Sequence, residues 1–292
     1  MWSESNVRIP ELYARKHPVF SFEFFPPQSA EAAQALFETI SDLAELAPDF
    51  VSVTCPGDFQ RRPLTFELVT RIKCELGVEA MAHLVTVGYT RDQLSEILSG
   101  MREQGIENVL ALRGDLPPEA DSHAACDFRH ASELAAFAQP FGFAIGGAAH
   151  PERHPESPDW ESEMRHARGK VEAGCSFLVT QLFFDNADYF GYVERAREAG
   201  IGVPVVPGIM PVTSLKGIRR MAAMNGNRIP EALSEALEEV EDDRGALREV
   251  GVAWATAQCE ELLARGAPGV HFYTLNRSPA TRSILRSLTT GS

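Results

Sequence analysis

A chain of 292 residues with 44% hydrophobic content carries enough apolar material for a substantial core, in one large domain or two small ones. Its formal net charge of −14 disfavours a nucleic-acid backbone or an anionic membrane surface as partner, although a local cluster of Arg, Lys and His can still hold an anionic ligand. Five scattered cysteines (Cys55, Cys74, Cys126, Cys175, Cys259) without a CxxC pair read as reduced thiols in a cytoplasmic protein, and the absence of an apolar signal core or of any apolar run near ~20 residues argues against secretion or a membrane span.

The first predicted strand, Val19–Phe24, runs into Phe22-Glu23-Phe24-Phe25-Pro26-Pro27. A Glu among four Phe is costly unless it is paired, kept neutral or used chemically. Helix Ala30–Leu46 follows behind the cap Ser29, then strand Phe50–Val53, helix Phe66–Leu76 and strand Ala80–Val85. Next come helix Arg91–Gln104 behind Thr90, strand Asn108–Leu112, helix Ala131–Ala138 with Ser132 as cap, strand Phe143–Gly147 and helix Glu161–Ala173. Strand Phe177–Gln181, helix Asp188–Ala199, strand Val203–Ile209 and helix Ser214–Met224 complete the pattern up to two helices in Glu231–Val240 and Gly245–Arg265. The last strand is Val270–Thr274 and the last helix Ala280–Leu288. Glycines 77, 105, 174, 200 and 266 stop helices.

Eight strands alternating with helices imply parallel pairing and right-handed crossovers. The expectation is an α/β fold, a (βα)8 TIM barrel formed by residues 1–292 as a single domain. An open doubly wound sheet is the alternative, but neither GxGxxG nor a P-loop pattern is present. The acidic run 238–243 reads as a solvated helix end.

In such a barrel the chemistry sits at the C-terminal strand ends. Those ends supply Glu23, Thr54, His83, Arg113-Gly114-Asp115-Leu116-Pro117-Pro118, His150-Pro151-Glu152-Arg153-His154, Gln181, Pro207-Gly208-Ile209-Met210-Pro211 and Asn276-Arg277. Each has a structural reading taken alone: a core His83, an Arg113–Asp115 pair, a capping Gln181, or a Glu23 neutralised by Arg113 or His83. Their convergence on one mouth favours a site. His150 and His154 have metal-ligand spacing, but Pro151 and Pro155 oppose a regular helix there and no carboxylate set accompanies them, so no metal is expected. No nucleophile elbow supports a Ser-His-Asp triad, and Lys170 lies on a helix pattern rather than a strand, which weakens a Schiff-base role. What remains is a cationic rim (Arg113, His150, His154, Lys170, Arg277), an apolar mouth (Phe24, Phe25, Phe183, Phe184, Tyr273) and the carboxylates Glu23 and Asp115. That set suits a large, flat, phosphate-bearing aromatic ligand and an acid catalyst.

These strand-end motifs, together with Val51-Ser52-Val53-Thr54, Ala82-His83-Leu84, Thr180-Gln181-Leu182-Phe183-Phe184-Asp185 and His271-Phe272-Tyr273-Thr274-Leu275-Asn276-Arg277, resemble the flavoprotein methylenetetrahydrofolate reductases in their short bacterial form, without a C-terminal regulatory domain. They occur in the family's order and span nearly the whole chain. The resemblance implies FAD at the C-terminal face, reduction by NADH or NADPH, and hydride transfer to methylenetetrahydrofolate to give 5-methyltetrahydrofolate for methionine synthesis. It also implies a homo-oligomer. By position, Glu23 is the general acid, kept protonated by apolar neighbours, and Asp115 lies close to flavin and pterin as a second catalytic carboxylate. Thr54, His83, Arg113, Gly114, Ala131, His150, His154, Glu163 and Lys170 fall to the cofactor. Glu23, Thr54, Gln181, Phe184 and Arg277 fall to the substrate. His150 stands where the family pattern has Tyr and Glu163 where it has Asp, while Gly217 and Met221 replace a polar and an aromatic contact. A non-catalytic folate- or flavin-binding barrel and a metal- or lysine-dependent barrel lyase are the competing classes; Glu23, Asp115 and Gln181 favour the reductase.

Overall fold

β1 (Val19–Phe24) pairs in parallel with β2 (Phe50–Val53) on one side and with β9 (Gly269–Tyr273) on the other. The computed structural model describes residues 7–115 and 127–290; Leu116, Pro117, Pro118 and Cys126 lie outside them. From β2 the ladder runs through β3 (Ala80–Val85), β4 (Asn108–Leu112), β5 (Ala144–Ala149) and β6 (Cys175–Thr180) to β7 (Val205–Val206), while β9 pairs with β8 (Gly208–Ile209). The two ends of this sheet are consecutive pieces of one strand, so the sheet closes as a (βα)8 barrel.

The expected seventh strand, Val203–Ile209, is thus broken in two. Pro207 between the halves has no N–H to give to a ladder. Its carbonyl still accepts from His271 N at 2.9 Å, and Gly208 N turns to Thr180 Oγ1 at 2.8 Å. The Tyr273 hydroxyl spans the seam, donating to the Thr180 carbonyl at 2.5 Å.

The helices are α1 (Ile9–Arg15), α2 (Ala30–Ala44), α3 (Pro63–Arg71, continued by a π turn over Ile72–Leu76), α4 (Arg91–Glu103), α5 (Ala131–Ala138), α6 (Trp160–Glu172), α7 (Asn186–Glu198), α8 (Leu215–Asn225), α9 (Glu231–Glu238), α10 (Arg244–Ala264) and α11 (Ser278–Thr290). Ser29 and Thr90 cap α2 and α4 as expected. At α5 the cap position is His130, not Ser132, and Glu133 accepts the His130 N–H at 3.0 Å. α1 was not apparent in the sequence pattern, being only seven residues long. Its first N–H donates to Asn108 Oδ1 at 2.9 Å, and Ile9 and Tyr13 close the base of the barrel against Val19, Phe50, Met81, Leu110 and Phe177. None of these helices, among the described residues, is long and apolar enough to cross a membrane.

Strand alternation sorts the side chains into two layers. Phe22, Phe24, Val51, Val53, Leu84 and Val109 face outward and pack in the main core under the helices. The inward residues are apolar at the base and become polar towards the C-terminal ends, where Ser21, Glu23, Ser52, His83 and His271 are all buried.

The seam at Pro207 gives a direct test of closure. A Cβ on Gly208 would lie 2.4 Å from the Thr180 carbonyl and 2.6 Å from the Tyr273 ring, whereas one on Gly202 would meet nothing within 4 Å. Gly208→Ala is expected to cost about 1–3 kcal/mol and lower Tm by roughly 2–10 °C in calorimetry, with Gly202→Ala near wild type.

Candidate active site

The register places Ser21 opposite His271, Glu23 opposite Tyr273, and Glu23 opposite Ser52 on the other flank. Because strand side chains alternate, Ser21 and Glu23 share the inner face with His271 and Tyr273. The His271 ring lies with Nδ1 2.7 Å from Ser21 Oγ, and with Nε2 3.2 Å from Glu23 Oε2 and 3.4 Å from Ser52 Oγ. His83 brings its Nε2 to 3.3 Å from the same Glu23 oxygen, outside hydrogen-bonding direction. Glu23 is 7% exposed and His271 0%.

This arrangement corrects the expectation that aromatic neighbours keep Glu23 protonated. Phe22 and Phe24 point away from it into the outer core, and Phe25 is exposed. Burial by itself raises the carboxyl pKa, but the His83 and His271 imidazoles outweigh it and hold Glu23 down at about 2. Ser21, Ser52 and His271 had no role in the sequence reading. The available signal was the two-residue spacing of Ser21 with Glu23 and of His271 with Tyr273.

The main chain around Glu23 is fixed from β9. Thr274 Oγ1 donates to the Glu23 carbonyl at 2.6 Å. Asn276, in the left-handed region with φ 57°, pairs with Phe25 like a neighbouring strand: its Oδ1 accepts from Phe25 N at 2.8 Å and its Nδ2 donates to Phe25 O at 3.0 Å. Arg277 follows on the exposed rim. Thr54, after β2, is half-buried and extends the sheet by donating its N–H to Phe24 O at 2.9 Å.

A second cluster forms beyond β5. Glu163 on α6 accepts from Ser157 Oγ at 2.7 Å and His154 N at 3.1 Å, and lies 3.7 Å from His150 Nδ1. His150 and His154 meet edge to face with centroids 4.6 Å apart. Burial raises the Glu163 carboxyl, yet the neighbouring His150 imidazole and the Ser157 hydrogen bond outweigh it and hold the group at about 2. Burial lowers His150, His154 and Lys170. Lys170 Nζ donates to the Ala148 carbonyl at 2.7 Å. Ala131, half-buried, is the first residue of α5, beside His130, whose ring stacks on His166 of α6 at 6.5 Å.

Arg113 pairs not with Asp115 or Glu23 but with Glu156, in a fork at 2.5 and 2.8 Å. Gly114 adopts φ 86°, and a Cβ there would crowd Val85 at 3.1 Å; the exposed Asp115 acts on the Arg113 charge. Gln181 extends the β5–β6 ladder through its N–H to Ala149 O at 2.7 Å. Phe184, expected at the mouth, is 1% exposed and packs with Leu182, Met210 and Leu215 in a separate core beneath α8–α10; Phe183 and Phe24 are likewise core residues. Away from the C-terminal strand ends, a space of about 570 Å³ lies against Arg91, Phe128 and Phe137, and one of about 520 Å³ against Arg8, Pro10 and Gly142. No group of three or more His, Cys, Asp or Glu able to hold a metal occurs among the described residues.

A family model described as methylenetetrahydrofolate reductase matches residues 8–289. The chain belongs to the methylenetetrahydrofolate reductase family. It is 36% identical over 269 residues to the 5,10-methylenetetrahydrofolate reductase of Escherichia coli, covering 92% of this chain and 90% of that protein. It is 33% identical to methylenetetrahydrofolate reductase (NADH) 1 of Arabidopsis thaliana over 96% of this chain and 50% of that protein. The chain thus spans about half the length of the plant relatives it matches. Among solved structures, a Clostridium thermocellum protein described as binding two copies of 5-methyl-5,6,7,8-tetrahydrofolic acid superposes with TM-score 0.70 at 15% identity, over 98% of this chain and 100% of that one, and shares the fold.

Glu163 is depressed from 4.5 to about 2, so its contribution to stability is full above its unfolded value and is lost as pH falls towards the folded one. The stability gap between wild type and Glu163→Gln, read by urea denaturation, is expected to stay level above about pH 5 and to shrink by a few kcal/mol on acidification towards pH 2. A gap independent of pH in that window would remove the assigned charge state.

Proposed function

We propose that this chain reduces 5,10-methylenetetrahydrofolate to 5-methyltetrahydrofolate, with NADH or NADPH as electron donor and FAD as the bound redox group, in the cytoplasm. The supporting observation is the buried carboxylate Glu23 within 3.2 and 3.3 Å of two imidazoles at the strand ends of a barrel of this family. The net reaction takes up one proton besides the hydride, and this cluster is built to hold and move a proton. Four described cysteines, all free, accord with a reducing compartment.

The residues around β4–β6 fit a dinucleotide. Lys170 offers an ammonium whose hydrogen bond goes to a carbonyl rather than a carboxylate, so a diphosphate would answer its charge. His150, His154 and Arg113 add donors, and the left-handed turn at Gly114 lets a flat ring approach the main chain. When bound, FAD supplies the hydride relay between nicotinamide and folate.

Glu23 delivers the proton to the folate nitrogen that leaves the methylene bridge. Its imidazole neighbours favour the ion in the open site, so the proton reaches it through His271, the imidazole within hydrogen-bond reach, as bound substrate excludes water. Burial then favours the neutral carboxyl, the direction that burial already pushes. Ser21 and Ser52 hydrogen-bond the two nitrogens of the His271 ring beside Glu23. Asp115, at the exposed rim, favours cationic character on the folate.

Purified protein supplied with FAD should show a flavin band that bleaches anaerobically with NADH or NADPH and returns with methylenetetrahydrofolate. A protein that neither binds flavin nor turns over folate contradicts the proposal. Glu23→Gln is expected to leave bleaching by the nicotinamide largely intact and to slow the folate step by about 10²–10⁴-fold in stopped-flow absorbance. Equal losses in both steps would assign Glu23 a structural role.

A further inference from the structure

Gln181 leaves β6 with both ends of its carboxamide engaged. Its Oε1 accepts from the Leu182 N–H at 2.9 Å, and its Nε2 donates to Asn225 Oδ1 at 3.2 Å, 44 residues further along the chain. A side-chain amide is nearly symmetric in shape, so its orientation is set by what it faces. The Leu182 N–H is a donor that cannot turn round. It requires the Gln181 oxygen on its side, which leaves the Gln181 NH2 facing α8, and Asn225 in turn must present its own oxygen. A reversed Gln181 would set NH2 against N–H at one end and oxygen against oxygen at the other.

Asn225 is the last residue of α8. With Gly217 and Met221 it forms a stripe at four-residue spacing, and all three are half-buried beside the fully packed Ile218 and Ala222. The Gln181 contact places the Asn225 end of this stripe over the strand ends. At the other end, a Cβ on Gly217 would meet only Ser214 atoms, at 3.3 and 3.5 Å, so the helix leaves space there.

We infer that Asn225 is a positioning residue: it fixes the Gln181 carboxamide so that its second N–H and second lone pair meet the substrate in one order. A nicotinamide carboxamide and the lactam edge of a pterin both present a donor beside an acceptor, and one fixed amide can read either. The inference rests on the proposed function and on the substrate role that the family resemblance implies for Gln181, and the test separates the two.

The test is a double-mutant cycle on FAD-loaded protein, read by titration with 5-methyltetrahydrofolate, by KM and kcat, and by thermal melting. Asn225→Ala should weaken 5-methyltetrahydrofolate binding and raise both substrate KM values by about 3- to 10-fold, the worth of one hydrogen bond, with kcat and Tm little changed. Asn225→Asp keeps the acceptor and should restore binding to within about 2-fold. In a Gln181→Ala background, Asn225→Ala should add almost nothing. An equal Asn225→Ala effect in both backgrounds, or none in the wild type while Gln181→Ala weakens binding, overturns the inference. If Gln181→Ala itself changes nothing, the substrate role of Gln181 fails and the inference falls with it.

Discussion

The site depends on a carboxylate buried against two imidazoles. An isolated ion at 7% exposure would shed its charge, because burial disfavours the ionised form. Glu23 keeps its charge because His83 on β3 and His271 on β9 reach the same oxygen from opposite flanks of β1.

The barrel supplies this geometry through its closure. β9 carries His271 and Tyr273, and β9 is held on its far side by the short β8 after the break at Pro207. The Tyr273–Thr180 and Gly208–Thr180 hydrogen bonds tie that break to β6, the strand that leads into Gln181. On the near side, the Thr274 and Asn276 contacts fasten the chain just past Glu23. Glu23, His271 and the Gln181 carboxamide thus share one seam, and a distortion of the seam moves all three. The β5 cluster of His150, His154, Glu163 and Lys170 is assembled separately, by α6 and the loop after β5, which keeps it mechanically apart from Glu23.

Most of the architecture was legible because alternation of short apolar strands with amphipathic helices needs only local pattern. The strand ends were legible for the same reason: Glu23 and His83 lie within the last residues of their strands, and Thr54, Arg113, His150 and Gln181 directly follow theirs. What failed was partner identity. Phe22 and Phe24, expected to surround Glu23, face the opposite side of the sheet; of its two partners, His83, 60 positions away, was among those the strand ends offered, whereas His271, 248 positions away, was not. Arg113 went to Glu156, and Phe184 went to the core under α8, by the same kind of long-range packing. The break at Pro207 was visible in principle, since a proline cannot serve a central strand on both sides. The seven-residue α1 is stabilised by Asn108 across the barrel base, a contact no local periodicity encodes.

The charge of Glu23 can be measured without turnover. Difference infrared spectroscopy of substrate-free wild type against Glu23→Gln, near neutral pH, isolates the carboxyl of this residue. The imidazole-held ion predicts carboxylate stretches and no protonated-carboxyl band. A protonated-carboxyl band in the substrate-free protein that Glu23→Gln removes would contradict the account.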